Sequence, residues 1–218
     1  MEYLMGLYKT IGHVVLEKAD VGGTCAAMAI CGDLPAGDTP ESTGSVTGEL
    51  KGSLALFFSK DFVSGISKYG ADYLQAAVFG FSVSSAEESP VLGPGSEFGS
   101  GCAGILAAGG NAYVYVTEGS GMCIVRTALV FGKKKFVKCL SPEFGGEDIL
   151  LLDEGTVLIA CPEKWADEVL LGEGCSGQFS PMSALDVDDI SGDDAFDRHL
   201  KELAGERFEG CIAALAVK

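Results

Sequence analysis

Leu152-Asp-Glu-Gly155-Thr-Val-Leu-Ile-Ala-Cys161-Pro-Glu163-Lys-Trp-Ala-Asp-Glu-Val169 is the stretch that decides how the chain is read. Asp153-Glu154-Gly155 has turn composition, and Ile149 to Leu152 ahead of it is a short apolar run. Thr156 to Cys161 beyond it is an apolar, strand-like run. Pro162 ends that run. The spacing beyond it predicts a short helix over Trp165 to Leu171. Strand, turn, strand and helix thus follow one another within about two dozen residues.

Working towards the N-terminus, Cys102–Ala108, Ala112–Thr117, Met122–Arg126, Ala128–Phe131 and Lys135–Cys139 are short strand-like runs. Gly109-Gly110-Asn111 and Glu118-Gly119-Ser120-Gly121 between them have the composition of hairpin loops. The Ser-, Glu-, Pro- and Gly-rich stretch from Ser82 to Gly101 predicts an exposed loop. Ahead of it, Thr39-Pro40-Glu41 has the chemistry of a helix start, and Leu50, Leu54, Phe57 and Phe58 mark an apolar face. Phe62, Ile66, Tyr69, Tyr73, Ala77 and Phe81 recur at helical spacing, as a core-facing stripe does. The chain opens with strands over Leu4–Lys9, Gly12–Glu17 and Thr24–Cys31, with Asp20-Val21-Gly22-Gly23 as a turn.

Towards the C-terminus, Gly172 to Asp189 is polar. Ser191 is placed to cap a helix whose first turn holds Asp193 and Asp194, and whose later turns hold Arg198, His199 and Lys201. Acids at the start and bases near the end suit the helix dipole. Cys211 to Val217 reads as a buried final strand. Strands, two helices, many strands, a helix and a last strand make an α+β fold, expected as two packed antiparallel β-sheets flanked by helices, an α-β-β-α sandwich. At 218 residues a single domain over 1–218 is expected.

Composition excludes several function classes. The net charge of −16, from 15 basic and 31 acidic residues, is wrong for a nucleic-acid binder or an anionic membrane surface. No run reaches the roughly 20 apolar residues of a membrane span, so no membrane insertion is expected. Met1-Glu2-Tyr3-Leu4-Met5 lacks a basic leader, which favours a cytoplasmic protein. The eight cysteines form no C-x-x-C pair, and most sit in apolar runs, as small buried thiols do. With only His13 and His199 available as bases, a Cys–His enzyme is disfavoured.

Four segments, in this order along the chain, resemble the metal-dependent protein phosphatase 2C family, nearest its compact bacterial and sporulation-type members. Ala27-Met-Ala-Ile-Cys-Gly-Asp33-Leu-Pro-Ala-Gly37 is similar to the family's strand ending in Asp-Gly-x-Gly-Gly. Ser100-Gly-Cys-Ala-Gly-Ile-Leu to Val125-Arg126 resembles its central pair of strands. The Leu152–Val169 stretch resembles the strand that ends in Ser-Asp-Gly before a helix. Glu209-Gly-Cys-Ile-Ala-Ala-Leu-Ala-Val217 resembles the closing strand after Asp-Asn.

The resemblance implies a cradle of carboxylates for Mg²⁺ or Mn²⁺ and a phosphoprotein substrate attacked by a metal-activated water. The metal-site positions carried over are Asp33, the backbone carbonyl of Leu34, Glu163 and Glu209. This sequence departs from the family pattern at each of the last three. Two aspartates have become glutamates, moving each carboxylate by about 1.5 Å, one carbon–carbon bond. Mg²⁺ wants near-octahedral oxygens at about 2.0–2.1 Å, so that displacement matters. Leu34 replaces a glycine, the early Arg-x-x-Asn-Glu-Asp-like segment has no counterpart, and Lys164 stands directly after Glu163 in place of a glycine.

Three functions follow as expectations. One is a phosphatase-fold protein with an eroded metal site, catalytically weak or inactive, that binds a protein partner. The second is a working Mg- or Mn-dependent serine/threonine phosphatase acting on a phosphoprotein. The third is an unrelated α+β domain with a structural or assembly role.

Overall fold

A computed structural model of the chain describes residues 1–21, 23–33, 65, 68, 101–172, 185 and 190–218. Among the described residues there are ten strands: β1 (Tyr3–Lys9), β2 (His13–Val21), β3 (Thr24–Asp33), β4 (Gly101–Ala108), β5 (Asn111–Val116), β6 (Met122–Val130), β7 (Lys133–Leu140), β8 (Gly146–Leu151), β9 (Val157–Pro162) and β10 (Cys211–Val217). They form two five-stranded antiparallel sheets, β1-β10-β9-β6-β7 and β2-β3-β4-β5-β8. The α+β sandwich expected from the sequence is the fold observed. The helices expected between Thr39 and Phe81 and the loop from Ser82 lie outside the described residues, except that Gly65 and Lys68 are helical.

The sheets stack through small and medium apolar side chains. Ala27, Ala29 and Cys31 of β3, and Ala103 and Ile105 of β4, meet Leu158 and Ala160 of β9 and Ala213 and Leu215 of β10. Alternation along each strand sends the intervening residues to the opposite face, as the pleat requires. On the β1-β10-β9-β6-β7 sheet those residues are also apolar (Ile159, Cys161, Ile212 and Ala214 among them), because helices cover that face. This is why β9 and β10 read as continuous apolar runs.

Two helical pieces form that cover. Helix α1 (Glu163–Trp165) leads without a break into a single π-helical turn, Ala166–Leu170. Helix α2 (Asp193–Ala204) lays Phe196, Leu200 and Ala204 on the sheet. It sits so close to β1 that a Cβ on Gly6 would lie 2.9 Å from Leu200 and from the Phe196 ring.

The structure corrects three local expectations. Met122–Arg126 and Ala128–Phe131 are one strand, β6, running through Thr127. Thr127 is tolerated there because its hydroxyl accepts the Val157 backbone N–H at 2.9 Å. The Glu118–Gly121 segment is not a hairpin loop: it carries the chain from β5 in one sheet to β6 in the other. Finally, α2 is capped by Gly192 rather than Ser191, without a side-chain cap bond. Asp193 and Asp197 instead reach sideways and accept the backbone N–H groups of Met5 (2.9 Å) and Leu7 (2.6 Å) on β1. Gly109-Gly110, by contrast, does close the β4–β5 hairpin, with both glycines at positive φ as a type I′ turn needs.

Candidate functional site

The strand directions gather the sequence-predicted residues at one end of the sandwich. Asp33 ends β3 and pairs with Gly101 at the start of β4. Glu163 follows β9, whose last residue, Pro162, pairs with Met122 at the start of β6. Glu209 lies two residues ahead of β10, whose first residue, Cys211, pairs with Lys9 at the end of β1. The β1–β2 turn is held here too, with the Thr10 and Ile11 N–H groups both donating to the Gly210 carbonyl (2.9 and 3.2 Å).

The sheets come together beneath this end. The Cys31 thiol donates to the Ala160 carbonyl across the sandwich at 3.3 Å. Burial pushes the Cys31 thiol well up, and its hydrogen bond with Cys211 adds to this. Cys211 is shifted down by that same bond, against its own desolvation. Burial also pushes Cys102 up to about 12, and the negative charge of Asp33 contributes a smaller part. Cys31 and Cys102 are therefore held as protonated thiols beneath the acidic end.

Backbone geometry fixes how Asp33 is presented. Gly32 has φ +129°, and a Cβ there would lie 2.1 Å from the Gly101 carbonyl oxygen. Only glycine fits this position. The Asp33 side chain lies against Gly101, where a Cβ would come within 3.2 Å of its Oδ2. Asp33 itself is exposed, as is Glu209.

Glu163 differs from the other two acids. Its carboxylate Oε1 accepts a hydrogen bond from the Lys138 ammonium at 2.8 Å and another from the Ser141 hydroxyl at 2.9 Å. Lys138 Nζ also touches Asp167 Oδ1 at 2.8 Å. Desolvation pulls Lys138 down, but its bonds to Asp167 and Glu163 outweigh that, and the net shift is upward. The ammonium is thus fully charged at neutral pH and clamps two carboxylates one helical turn apart.

This clamp bears on whether the donor set suits a metal. An ammonium on one oxygen of a carboxylate neutralises part of its charge and repels a cation approaching the other, which weakens it as a metal ligand. Among the described residues, no three His, Cys, Asp or Glu side chains gather as a metal-binding group. Leu34 lies outside the described residues. The strand ends bring Asp33, Glu163 and Glu209 to one end of the sandwich.

Lys138, Ser141 and Asp167 are the members of this site that the sequence did not single out. Glu163 and Asp167 stand four residues apart, so one helical face carrying two acids was readable. Lys138 was not, because β7 and β9 are separated in the sheet by β6.

No family model matches the chain, and no curated protein matches it. Solved structures of phosphatase 2C type do match over essentially its whole length. One is the S. agalactiae serine/threonine phosphatase, 12% identical, covering 100% of both chains with a TM-score of 0.48. Another is the PP2C phosphatase domain, with a fragment of the regulatory domain, of the cell fate determinant SpoIIE from Bacillus subtilis. It is 9% identical, covers 100% of this chain and 62% of that one, and has a TM-score of 0.44. A third is the catalytic domain of the serine/threonine protein phosphatase PstP in complex with 2 manganese ions, 12% identical, covering 100% and 98%, with a TM-score of 0.40. Likeness at this level carries no chemistry from one chain to another; any function has to be argued from the side chains.

Proposed function

We propose that this chain is a phosphatase 2C-like domain whose carboxylate end does not build a working two-metal centre, and that it acts as a regulatory module by binding a protein partner. The observation that carries this reading is the Lys138–Glu163–Asp167 clamp, with Ser141 on the same Glu163 oxygen. It occupies the acid that the sequence resemblance puts in the metal site, and it supplies a positive charge where a divalent cation would have to sit nearby. The longer glutamate side chains at 163 and 209 and the Leu34 substitution support the same reading. Seven cysteines among the described residues, none of them in a disulfide, suit a reducing compartment such as the cytoplasm. No helix among the described residues is long and apolar enough to cross a membrane.

A second reading has one observation in its favour, the placement of Asp33, Glu163 and Glu209 at a single end of the sandwich. On that reading the chain is a metal-dependent serine/threonine phosphatase with variant ligands, and Asp33, Leu34, Glu163 and Glu209 would hold Mg²⁺ or Mn²⁺. The metal would supply an activated water and charge neutralisation.

Titration of Mn²⁺ by calorimetry, alongside hydrolysis of an aryl phosphate by wild type and Asp33→Ala, separates the two. The proposed reading expects no stoichiometric binding of two ions and no turnover above the variant. Two-ion binding with turnover, both abolished by Asp33→Ala, would establish the enzyme and overturn the proposal.

A further inference from the structure

One lateral side of the sandwich carries features that the carboxylate end does not explain. β1 faces β2 along one side, and β7 faces β8 along the other. Among the described residues β7 and β8 are the terminal strands of their sheets, so each has a backbone edge with no described strand beside it. Six large apolar residues are exposed among the described ones, and the four most exposed lie in the β6–β7 hairpin, the β7–β8 connection or β8: Leu129 (78%), Phe131 (102%), Phe144 (79%) and Leu151 (71%). Phe131 also holds φ +51° at the tip of the β6–β7 hairpin, a conformation that disfavours a bulky side chain. A fully exposed aromatic kept in a strained position points to contact with something else.

Charge is divided between the two edges. β7 begins Lys133-Lys134-Lys135, a concentration of positive charge in a chain of net −16. β8 begins Gly146-Glu147-Asp148. Lysines alone on an edge strand serve to keep other sheets away. Here the adjacent edge on the same side carries the matching acids.

Strand direction makes the two edges fit each other. β7 runs towards the carboxylate end of the sandwich and β8 runs away from it, joined by residues 141–145. A two-fold axis perpendicular to this side exchanges the two sheets and reverses every strand. β7 then lies parallel to the partner's β8, and its lysine end meets the glycine-acid end of that strand. Lys133, Lys134 and Lys135 come beside the partner's Glu147 and the partner's Asp148. The hairpin tip with Leu129 and Phe131 comes beside the partner's Phe144. The same contacts repeat on the other half, so the arrangement closes at two copies.

We propose that the β7/β8 side is a two-fold interface through which the chain pairs with a second copy of itself. Each sheet continues into the opposite sheet of the partner, the exposed apolar residues flank the junction, and lysine–carboxylate pairs set its register.

Sedimentation velocity of the full chain over a micromolar concentration series tests this, with thermal melts by circular dichroism showing that each variant is folded. Wild type is expected to show a monomer–dimer equilibrium. Lys134→Glu with Lys135→Glu is expected to be monomeric, and so is Glu147→Lys with Asp148→Lys, since each sets like charges against each other on both halves. Mixing the two variants in equal amounts is expected to restore a dimer, because every junction then has opposite charges. Phe131→Asn, which suits the positive φ and so keeps the hairpin, is expected to weaken the dimer by about tenfold. Wild type that stays monomeric, a dimer that neither charge variant disturbs, a mixture that fails to associate, or growth into open chains would each overturn the proposal.

Discussion

Lys138→Met probes the clamp at the carboxylate end while keeping most of the apolar stem. The wild-type lysine makes two contacts of 2.8 Å, to Glu163 and Asp167, with side-chain exposures of 25% for the lysine and 29% and 53% for the acids. Partly exposed pairs of this kind contribute about 0.2–1 kcal/mol each, so the loss should total about 1 kcal/mol at low salt. For a chain of this size that is a fall in Tm of about 2–4 °C. Salt should shrink the difference, because the pairs face solvent. The pH dependence has a definite sign. The folded pKa of Lys138 is raised, so its stabilisation is complete below the ordinary lysine range and is lost as pH rises through the higher folded value. The difference between wild type and variant should therefore hold across neutral pH and fade only in strongly alkaline solution. A double-mutant cycle with Glu163→Gln should return a coupling of about 0.5–1 kcal/mol. The same variant should bind Mn²⁺ more tightly than wild type, since Glu163 is released. Zero coupling and an unchanged melt would show that the clamp does not form in solution. An intact clamp with unchanged Mn²⁺ affinity would show that it is not what keeps Glu163 from a cation.

Two further substitutions test the fold that presents this end. Gly104→Ala places a Cβ 2.3 Å from Tyr115 Cε1 and 2.4 Å from its Cζ and hydroxyl oxygen, directly opposite on β5. The buried ring has to move, which should cost about 1–3 kcal/mol in urea unfolding. Adding Tyr115→Ala should make the pair markedly less than additive, and simple additivity would refute the ring-over-glycine packing. Asp197 is held above the ordinary carboxylate range by burial, opposed by the Leu7 N–H it accepts, with Asp194 and Asp193 adding to the rise. A raised carboxyl means the folded state holds its proton longer, so stability falls as pH rises from the ordinary value through the folded one. Asp197→Asn keeps the acceptor for Leu7 and should flatten that decline in a series of melts; an unchanged slope would rule out Asp197 as its source.

The sequence by itself determined the fold class and the place of most strands, though it split β6 in two. Short apolar runs bounded by turn residues identified β3, β4, β9 and β10, since their length and flanks favour strand over helix. The Gly109-Gly110 turn and the acids opening α2 were legible for the same local reason: φ above zero and helix-terminal charge are properties of a few adjacent residues. Asp33, Glu163 and Glu209 were singled out by the resemblance to phosphatase 2C motifs, and strand direction then placed them at one end.

Only the tertiary structure decided what surrounds them. The Glu118–Gly121 segment has hairpin composition, yet it passes between sheets, since turn chemistry fixes local dihedrals and not which neighbour a strand pairs with. Lys138 reaches Glu163 across β6, a relation between residues 25 apart that no period expresses. That the lysines opening β7 and the acids opening β8 stand on one side of the sandwich depends on the two strands ending different sheets. Sequence pattern records which face of an element is buried. Which elements lie side by side, and therefore which charges meet, is set by the packing of the two sheets.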